Sequence, residues 1–364
     1  MSNKPARSNS PKTQPPKLKT TDTDRNKKTA TAQKRVLTTG ASGFVGRAVL
    51  DTLADKAIKV RAMIRNEQDI AHWTARYPDV EWVSGNLNDA DSLNRACEGC
   101  WGLINLAGLR EFWCANREDY YQINEHGARR LFQAALKQDV QKVVQVSTPL
   151  AFGMPEQSPF DESAQEGPHA SDYARSKFLG DRAGWELHNQ QGLPLTVVHL
   201  AAVIGAGDDK ATMEIERAVK GQLPALVGAD TVYTFVYRYD AAKAIVNSLL
   251  SEQSTGKRYL IGNQRMSTRD YFNLIASIAG VKAPRINIPE RRLLAVARGM
   301  ERVSRFTGRR PLIPADVLQT TIAGSLLFSA ERSERELGMQ YTPLSHALRE
   351  AIEEIRERGP SKAA

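Results

Sequence analysis

The chain has 364 residues, 41% of them apolar and 25% charged, enough for one large α/β domain or a domain with a smaller lobe. No apolar run approaches the roughly 18 residues that a membrane span needs. The formal charge of +9 belongs to one end, because residues 1–35 hold ten Lys or Arg against two Asp, which leaves a near-neutral body with no basis for specific nucleic-acid binding. Residues 1–34 have almost nothing apolar to bury and read as a disordered, solvated basic tail. Weak attraction to polyanions or anionic lipid is the alternative. The tail lacks the apolar core of a secretory signal and the amphipathic helix of an organelle transit segment.

In chain order, Arg35–Thr38 reads as a first strand, followed by the turn Thr39-Gly40-Ala41-Ser42-Gly43-Phe44-Val45-Gly46 and an amphipathic helix from Arg47. Strands follow at Lys59–Ile64, Val80–Ser84, Gly102–Leu106, Val143–Ser147 and Leu195–His199. Helices are predicted over Asp119–Lys137 and from Tyr173 to about Asn189. This alternation predicts a Rossmann-type, doubly wound parallel sheet over residues 35–204, with its site outside the carboxyl ends of the strands. Residues 205–358 read as a smaller, mostly helical lobe over the substrate end. Within it, Asp240–Leu250 and Tyr259–Ile261 return to the sheet, and loops are expected at Lys282–Pro289 and Gly308–Pro314.

The glycine turn is Gly-x-x-Gly-x-x-Gly. The first glycine lets the chain leave the strand, the second lets backbone approach a pyrophosphate, and the third lets helix and sheet pack closely. The helix N-terminus then offers free N–H groups to the phosphates. Downstream, Tyr173 and Lys177 stand four apart, on one face of a helix. An ammonium beside a phenol favours the phenolate, so this pair predicts a lowered Tyr173 pKa suited to general acid/base work. Ser147-Thr148 ends the fifth strand, where a hydroxyl can hydrogen-bond a carbonyl.

The three cysteines, Cys97, Cys100 and Cys114, are few and odd in number, as in a reducing compartment, so a cytoplasmic protein is expected. Cys97 and Cys100 form a Cys-x-x-Cys without a second pair, and neither His126 nor His199 has a ligand partner in the sequence. No metal site is expected. His199, on a strand, reads as structural.

The glycine turn, Ser147-Thr148-x-x-x-Phe152-Gly153 and the Tyr-Lys pair, in this order and spacing, resemble the extended short-chain dehydrogenase/reductase family over about residues 35–355. The resemblance implies an NAD(P)-dependent oxidoreductase, with Thr148 and Tyr173 holding a substrate oxygen. It makes Tyr173 the proton donor or acceptor, Lys177 the residue that binds the nicotinamide ribose, and Asn124 a supporting residue. Asn124 reads equally well as a polar residue satisfying helix backbone. The cofactor groove implied comprises Gly40, Ser42, Gly43, Phe44, Val45, Gly46, Arg61, Arg65, Asn86, Leu87, Leu106, Ala107, Gly108, Tyr173, Lys177 and Val203. Arg65 stands where NAD-binding members place an acid, which favours NADP(H), with NAD(H) the alternative. Asn86 replaces a usual Asp, and His199-Leu200 a usual Arg-Pro.

Within that family the chain is most similar to the dihydroflavonol-reductase-like, 3β-hydroxysteroid-dehydrogenase-like and hopanoid-associated epimerase-like group. This implies ketone/alcohol interconversion on a medium-sized apolar molecule. A nucleotide-sugar epimerase with retained NAD is the alternative, and a non-catalytic nucleotide-binding subunit the alternative of another class. Pro149-Leu150 after Thr148 argue against dehydration. Phe112, Trp113, Phe152 and Phe160 are candidates for a substrate wall or for core. Family members often pair through the helices that hold Asn124 and Tyr173, so a homodimer is an open expectation. Glu290–Phe306 reads as a basic amphipathic helix with Leu293, Leu294, Val296, Ala297, Met300, Val303 and Phe306 as its apolar set. Residues 290–310, which also hold Arg309 and Arg310, are a candidate peripheral membrane contact, with a domain-capping helix as the alternative.

Overall fold

The first strand, β1 (Arg35–Thr39), shows how the sheet is built. Val36 and Leu37 are both fully buried, and they belong to different core clusters on the two faces. A strand covered on both sides is mainly apolar, and the buried polar groups of β1 and its neighbours, Thr38, Thr39, Arg61 and Asn105, are the exceptions. The computed structural model describes residues 34–111, 113–208, 211–307, 311 and 314–358. In it β1 is followed by α1 (Phe44–Ala54), β2 (Lys59–Ile64), α2 (Ile70–Arg76), β3 (Val80–Ser84), α3 (Ala90–Cys97) and β4 (Gly102–Asn105). The second half adds α4, β5 (Lys142–Ser147), α5 (Asp172–Gln191) and β6 (Leu195–Leu200). α4 is an α turn (Glu118–Tyr121), a π turn (Gln122–Gly127) and an α segment (Ala128–Lys137) run together.

After a short β7 (Ala202–Ile204) come α6 (Ala211–Val219), β8 (Ala225–Val227), β9 (Val232–Tyr237) and α7 (Arg238–Leu250). β10 (Lys257–Ile261) then joins the main sheet beside β6, in the order β10-β6-β5-β4-β1-β2-β3 with every pair parallel. The sheet is therefore the doubly wound, Rossmann-type arrangement that the alternation predicts. Its strand order reverses between β1 and β4, the place where sheets of this kind offer a crevice at the carboxyl ends.

The remaining chain forms two small sheets, β7 and β9 with β11 (Gln264–Ser267), and β8 with β12 (Ile286–Ile288). Four helices and a short one complete it: α8 (Thr268–Ala279), α9 (Glu290–Thr307), α10 (Ala315–Ala323), α11 (Glu331–Leu337) and α12 (Leu344–Arg358). Ile215, Phe235, Ile275 and Leu348 share a core between α6, β9, α8 and α12. β12 falls in the stretch expected to be a loop. Its three residues, bounded by prolines, are too short for a period to register, and pairing with β8 alone makes them a strand.

Candidate active site

The glycine turn closes β1 onto α1 so tightly that side chains are excluded. Gly40 has φ +67°, and a Cβ there would lie 2.9 Å from the Ala107 nitrogen. A Cβ on Gly46 would lie 2.2 Å from the Gly40 carbonyl oxygen. Gly43 is the residue before α1 and no side chain caps that helix, so its first N–H groups are left for an anion. Arg47 donates to the Ser42 carbonyl at 3.0 Å and to the Gly207 carbonyl at 2.7 Å, holding the turn to the loop after β7. Half-buried Leu106 and Ala107 and exposed Gly108 continue from β4 on the other side of the reversal. A narrow glycine cradle, an uncapped helix start and a bare backbone opposite fit the pyrophosphate of a dinucleotide.

α5 begins with Ser171, whose Oγ accepts from the Ala174 N–H at 3.2 Å, and this cap sets Tyr173 and Lys177 in the first turns. Tyr173 hydrogen-bonds Thr148, which leaves β5 at its carboxyl end. Lys177 is buried, and its Nζ donates to the Val146 carbonyl at 2.8 Å. A Cβ on Gly108 would come within 3.9 Å of that Nζ and 3.0 Å of Asn124 Oδ1. The pair, the hydroxyl and the end of β4 therefore meet at one place.

Asn124 sits in the π turn of α4, an irregularity that brings its side chain out of the regular helical row. Its Oδ1 accepts from the Leu109 N–H at 2.8 Å. Its Nδ2 donates to the Leu109 carbonyl and to Ser176 Oγ, both at 2.9 Å. Asn124 thus ties the loop after β4 to the helix of Tyr173, and the backbone it satisfies is not its own helix's.

The electrostatics differ from the expectation drawn from spacing. Desolvation pushes the Tyr173 phenol up to about 12, against the Arg110 guanidinium and the Thr148 hydrogen bond, which act downward. Burial also pulls Lys177 below the usual lysine value, while Asp181 acts to raise it. The ammonium does not dominate the phenol because it is turned to Val146 and faces Asp181, one helical turn on.

Two groups were not singled out from the sequence. Arg110, in the irregular stretch after Gly108, reaches Asp208 at 3.5 Å and carries the positive charge that bears on Tyr173. Asp181 is buried and accepts from Ser147 Oγ at 2.5 Å and from the Gln145 side chain. Gln145 accepts from Asn105 at 2.7 Å, Asn105 from Thr39 at 2.6 Å, and Thr39 from the Ala107 N–H at 3.1 Å. A polar chain thus crosses the sheet beneath the crevice, from the end of β4 to the helix of Lys177. The signal for Asp181 was its spacing, four after Lys177 and eight after Tyr173. His199 also faces Asp181, at 3.8 Å, with its Nδ1 on the Thr148 carbonyl at 3.1 Å. Burial drives its pKa down to about 3, so the ring is neutral.

Some expected groove residues are engaged elsewhere. Arg61 is a correction: it lies in the first half of β2, pairs with Glu81 at 2.9 Å and donates to the Ala96 and Glu98 carbonyls at the end of α3. Those orphan carbonyls and an acid consume its guanidinium away from the crevice. Phe44 and Leu87 put their side chains into the core, and Val203 packs partly buried on β7. Phe152 and Phe160 are buried 5.1 Å apart beside His199, so they are core and not substrate wall. Trp113 is half-buried, and Phe112 lies outside the described residues. Arg65 and Asn86 stand exposed at the carboxyl ends of β2 and β3, and among the described residues Arg65 has no acidic partner. The thiols of Cys97 and Cys100 are buried in the core and free, with Cys97 pushed up to about 12 by desolvation.

The profile of the NAD dependent epimerase/dehydratase family matches residues 36–262, from β1 to just past β10. The chain belongs to that family. It is an extended short-chain dehydrogenase/reductase, an oxidoreductase of a family that binds NAD(P). It is 27% identical over 339 residues to a Synechocystis sp. protein carrying the provisional name dihydroflavonol 4-reductase, covering 88% of this chain and 94% of that one. It is 28% identical over 331 residues to sterol demethylase protein B of Methylococcus capsulatus, covering 89% and 98%. The crystal structure of gox2253 superposes with a TM-score of 0.77 at 27% identity, over 90% of this chain and 99% of that one. Among the described residues no helix is long and apolar enough to cross a membrane.

Proposed function

We propose that this enzyme interconverts a ketone and a secondary alcohol on a medium-sized apolar substrate of sterol-like or other lipid-like chemistry, with NADP(H). The observation that carries the reading is the Tyr173 phenol. It is hydrogen-bonded to Thr148 at the carboxyl end of β5 and is protonated at neutral pH, with desolvation raising it further, to about 12. A phenol in that state is a general acid ready for a carbonyl oxygen that is gaining negative charge. Thr148 orients the same oxygen, and Asn124 holds the loop after β4 against the helix of Tyr173. When Tyr173 gives up its proton, Arg110 is the cation whose charge bears on the phenolate.

Gly40, Gly43, Gly46 and Gly108 would hold the cofactor's phosphates and ribose side by backbone approach, and Lys177 its nicotinamide ribose. When bound, the cofactor supplies or takes up hydride at the carbon that bears the reacting oxygen. Arg65, exposed without an acidic partner where a 2′-phosphate would lie, supports NADP(H). The names of the sterol- and flavonoid-associated relatives support the substrate class.

The test is a fluorescence titration of the purified protein with NADPH and NADH, alongside Arg65→Ala, followed by turnover of a steroid ketone. Tight NADPH binding that weakens at least tenfold in the variant, with ketone-dependent NADPH oxidation, supports the reading. A preference for NADH, or a cofactor that co-purifies and does not exchange, overturns it in favour of an epimerase.

A further inference from the structure

α9 is an 18-residue helix with two unlike faces. Ala297, Leu293 and Leu294 turn inward onto Ala315 and Leu318 of α10. Outward it presents Val296 and Val303, 56% and 61% exposed. These stand seven residues apart, two turns along one face. Arg291, Arg292, Arg298 and Arg302 share the exposed side. The two acids of the helix are not there: Glu301 is buried and accepts from the Ala315 N–H at 2.8 Å, and Glu290 is only half-exposed at the first position.

Elsewhere the surface is ordinary. Of the six large apolar side chains exposed among the described residues, Ile286, Val296, Val303 and Val317 fall within 32 residues of sequence, on or beside α9. The helix is also joined to the site. Arg117 lies 2.9 Å from Asp172, the residue before Tyr173, and 3.7 Å from Glu301 on the inner face of α9.

We infer that the exposed face of α9 docks on an anionic phospholipid surface and brings the mouth of the Tyr173 crevice to the bilayer. Exposed valines flanked by arginines, with no exposed acid among them, are complementary to a surface that is negative in its headgroups and apolar just beneath. The arginine stems lie along the apolar boundary while their guanidinium groups stay at phosphate level. A second copy of this chain would have to bring acids to meet four arginines. Docking stands independently of the reductase reading. Its use, collecting an apolar ketone from the membrane, rests on that reading.

The experiment is flotation of the full-length protein with vesicles of phosphatidylcholine alone and of equimolar phosphatidylcholine and phosphatidylglycerol. It compares the natural chain with R292E/R298E/R302E and with V296S/V303S. NADPH oxidation is measured in parallel with a soluble ketone and with a sterol ketone dissolved in the vesicles. Binding to the anionic vesicles alone, falling at least tenfold in each variant, is the expected result. Both variants should keep their rate on the soluble ketone and lose rate on the vesicle-borne one. Undiminished flotation of both variants overturns the inference, because the basic tail would then carry the attraction. So does a change in oligomeric state on size-exclusion chromatography, which would make the face a protein interface. Docking without reduction of either ketone refutes the reductase reading and leaves the surface standing.

Discussion

Asp181→Asn separates the buried charge from the shape that holds it. Asp181 sits beneath the crevice among donors, the Ser147 hydroxyl, the Gln145 amide and the charge of Lys177. Desolvation outweighs them and holds its pKa at about 6, above the usual 3.8. A carboxyl whose folded pKa is raised binds its proton more tightly folded than unfolded, so its ionisation weakens the fold as pH rises from about 4 through about 6. At about 1.4 kcal/mol per pKa unit the full penalty is about 3 kcal/mol. Of this, about 2 kcal/mol falls between about pH 4.5 and about pH 7.5. Asparagine fills the same space, and the Ser147 hydroxyl can rotate to accept from the new amide, so the fold survives. The variant cannot ionise at this position. Urea unfolding at the two pH values should show the natural chain losing about 2 kcal/mol relative to the variant on going to the higher pH. A difference that stays constant within about 0.5 kcal/mol would refute the reasoning, since the carboxyl would then titrate with its unfolded value. Turnover should fall in the variant as well, because Lys177 loses a buried acid that supports its charge.

Tyr173→Phe keeps the ring and removes the acid. NADPH binding and melting temperature should hold while turnover drops by about 10²–10⁴-fold, and an unchanged rate would remove Tyr173 from the chemistry. Gly46→Ala forces a Cβ to 2.2 Å from the Gly40 oxygen. Cofactor binding should weaken at least tenfold and stability drop by about 1–3 kcal/mol or more, as for overpacking. Gly192→Ala, at φ +73° with nothing within 4 Å, should cost only about 1–2 kcal/mol of backbone strain and leave titrations unchanged. Phe152→Ala should cost about 3–5 kcal/mol as a core truncation. Calorimetry and the KM for a steroid ketone together check this: a KM change without a stability loss would return Phe152 to the substrate wall.

The sheet was legible because its signal is local. Each strand is a short, mainly apolar run, each crossover a helix, and Gly40, Gly43 and Gly46 mark the tight turn between β1 and α1. Parallel order follows from the crossovers. Legibility fails where one residue type serves two ends. Arg61 and Arg65 lie on the same strand, and the sequence offers both guanidinium groups to a cofactor. Only position along β2 separates them: Arg61 meets the spent end of α3, and Arg65 the open edge. Phe152 and Phe160 read equally as wall or core until the β5–α5 connection folds Phe152 onto His199 and Phe160 onto Phe328. β12 depends on a partner, β8, about sixty residues away, and no window of sequence contains that pairing.

The Tyr173–Lys177 spacing gave the face and not the field. Four residues on a helix place an ammonium next to a phenol, and in water that proximity alone would lower the phenol's pKa. In the folded chain Lys177 donates to Val146 and faces Asp181, both groups lose water, and desolvation outweighs attraction for each. A protonated phenol near neutrality favours giving a proton over taking one. Alcohol oxidation must begin by removing that proton, so it should accelerate with rising pH, while ketone reduction should change little until the phenol itself ionises. How far the Tyr173 phenol is raised is set by how deeply one turn of α5 is buried, a property of packing that the Tyr-x-x-x-Lys spelling does not carry.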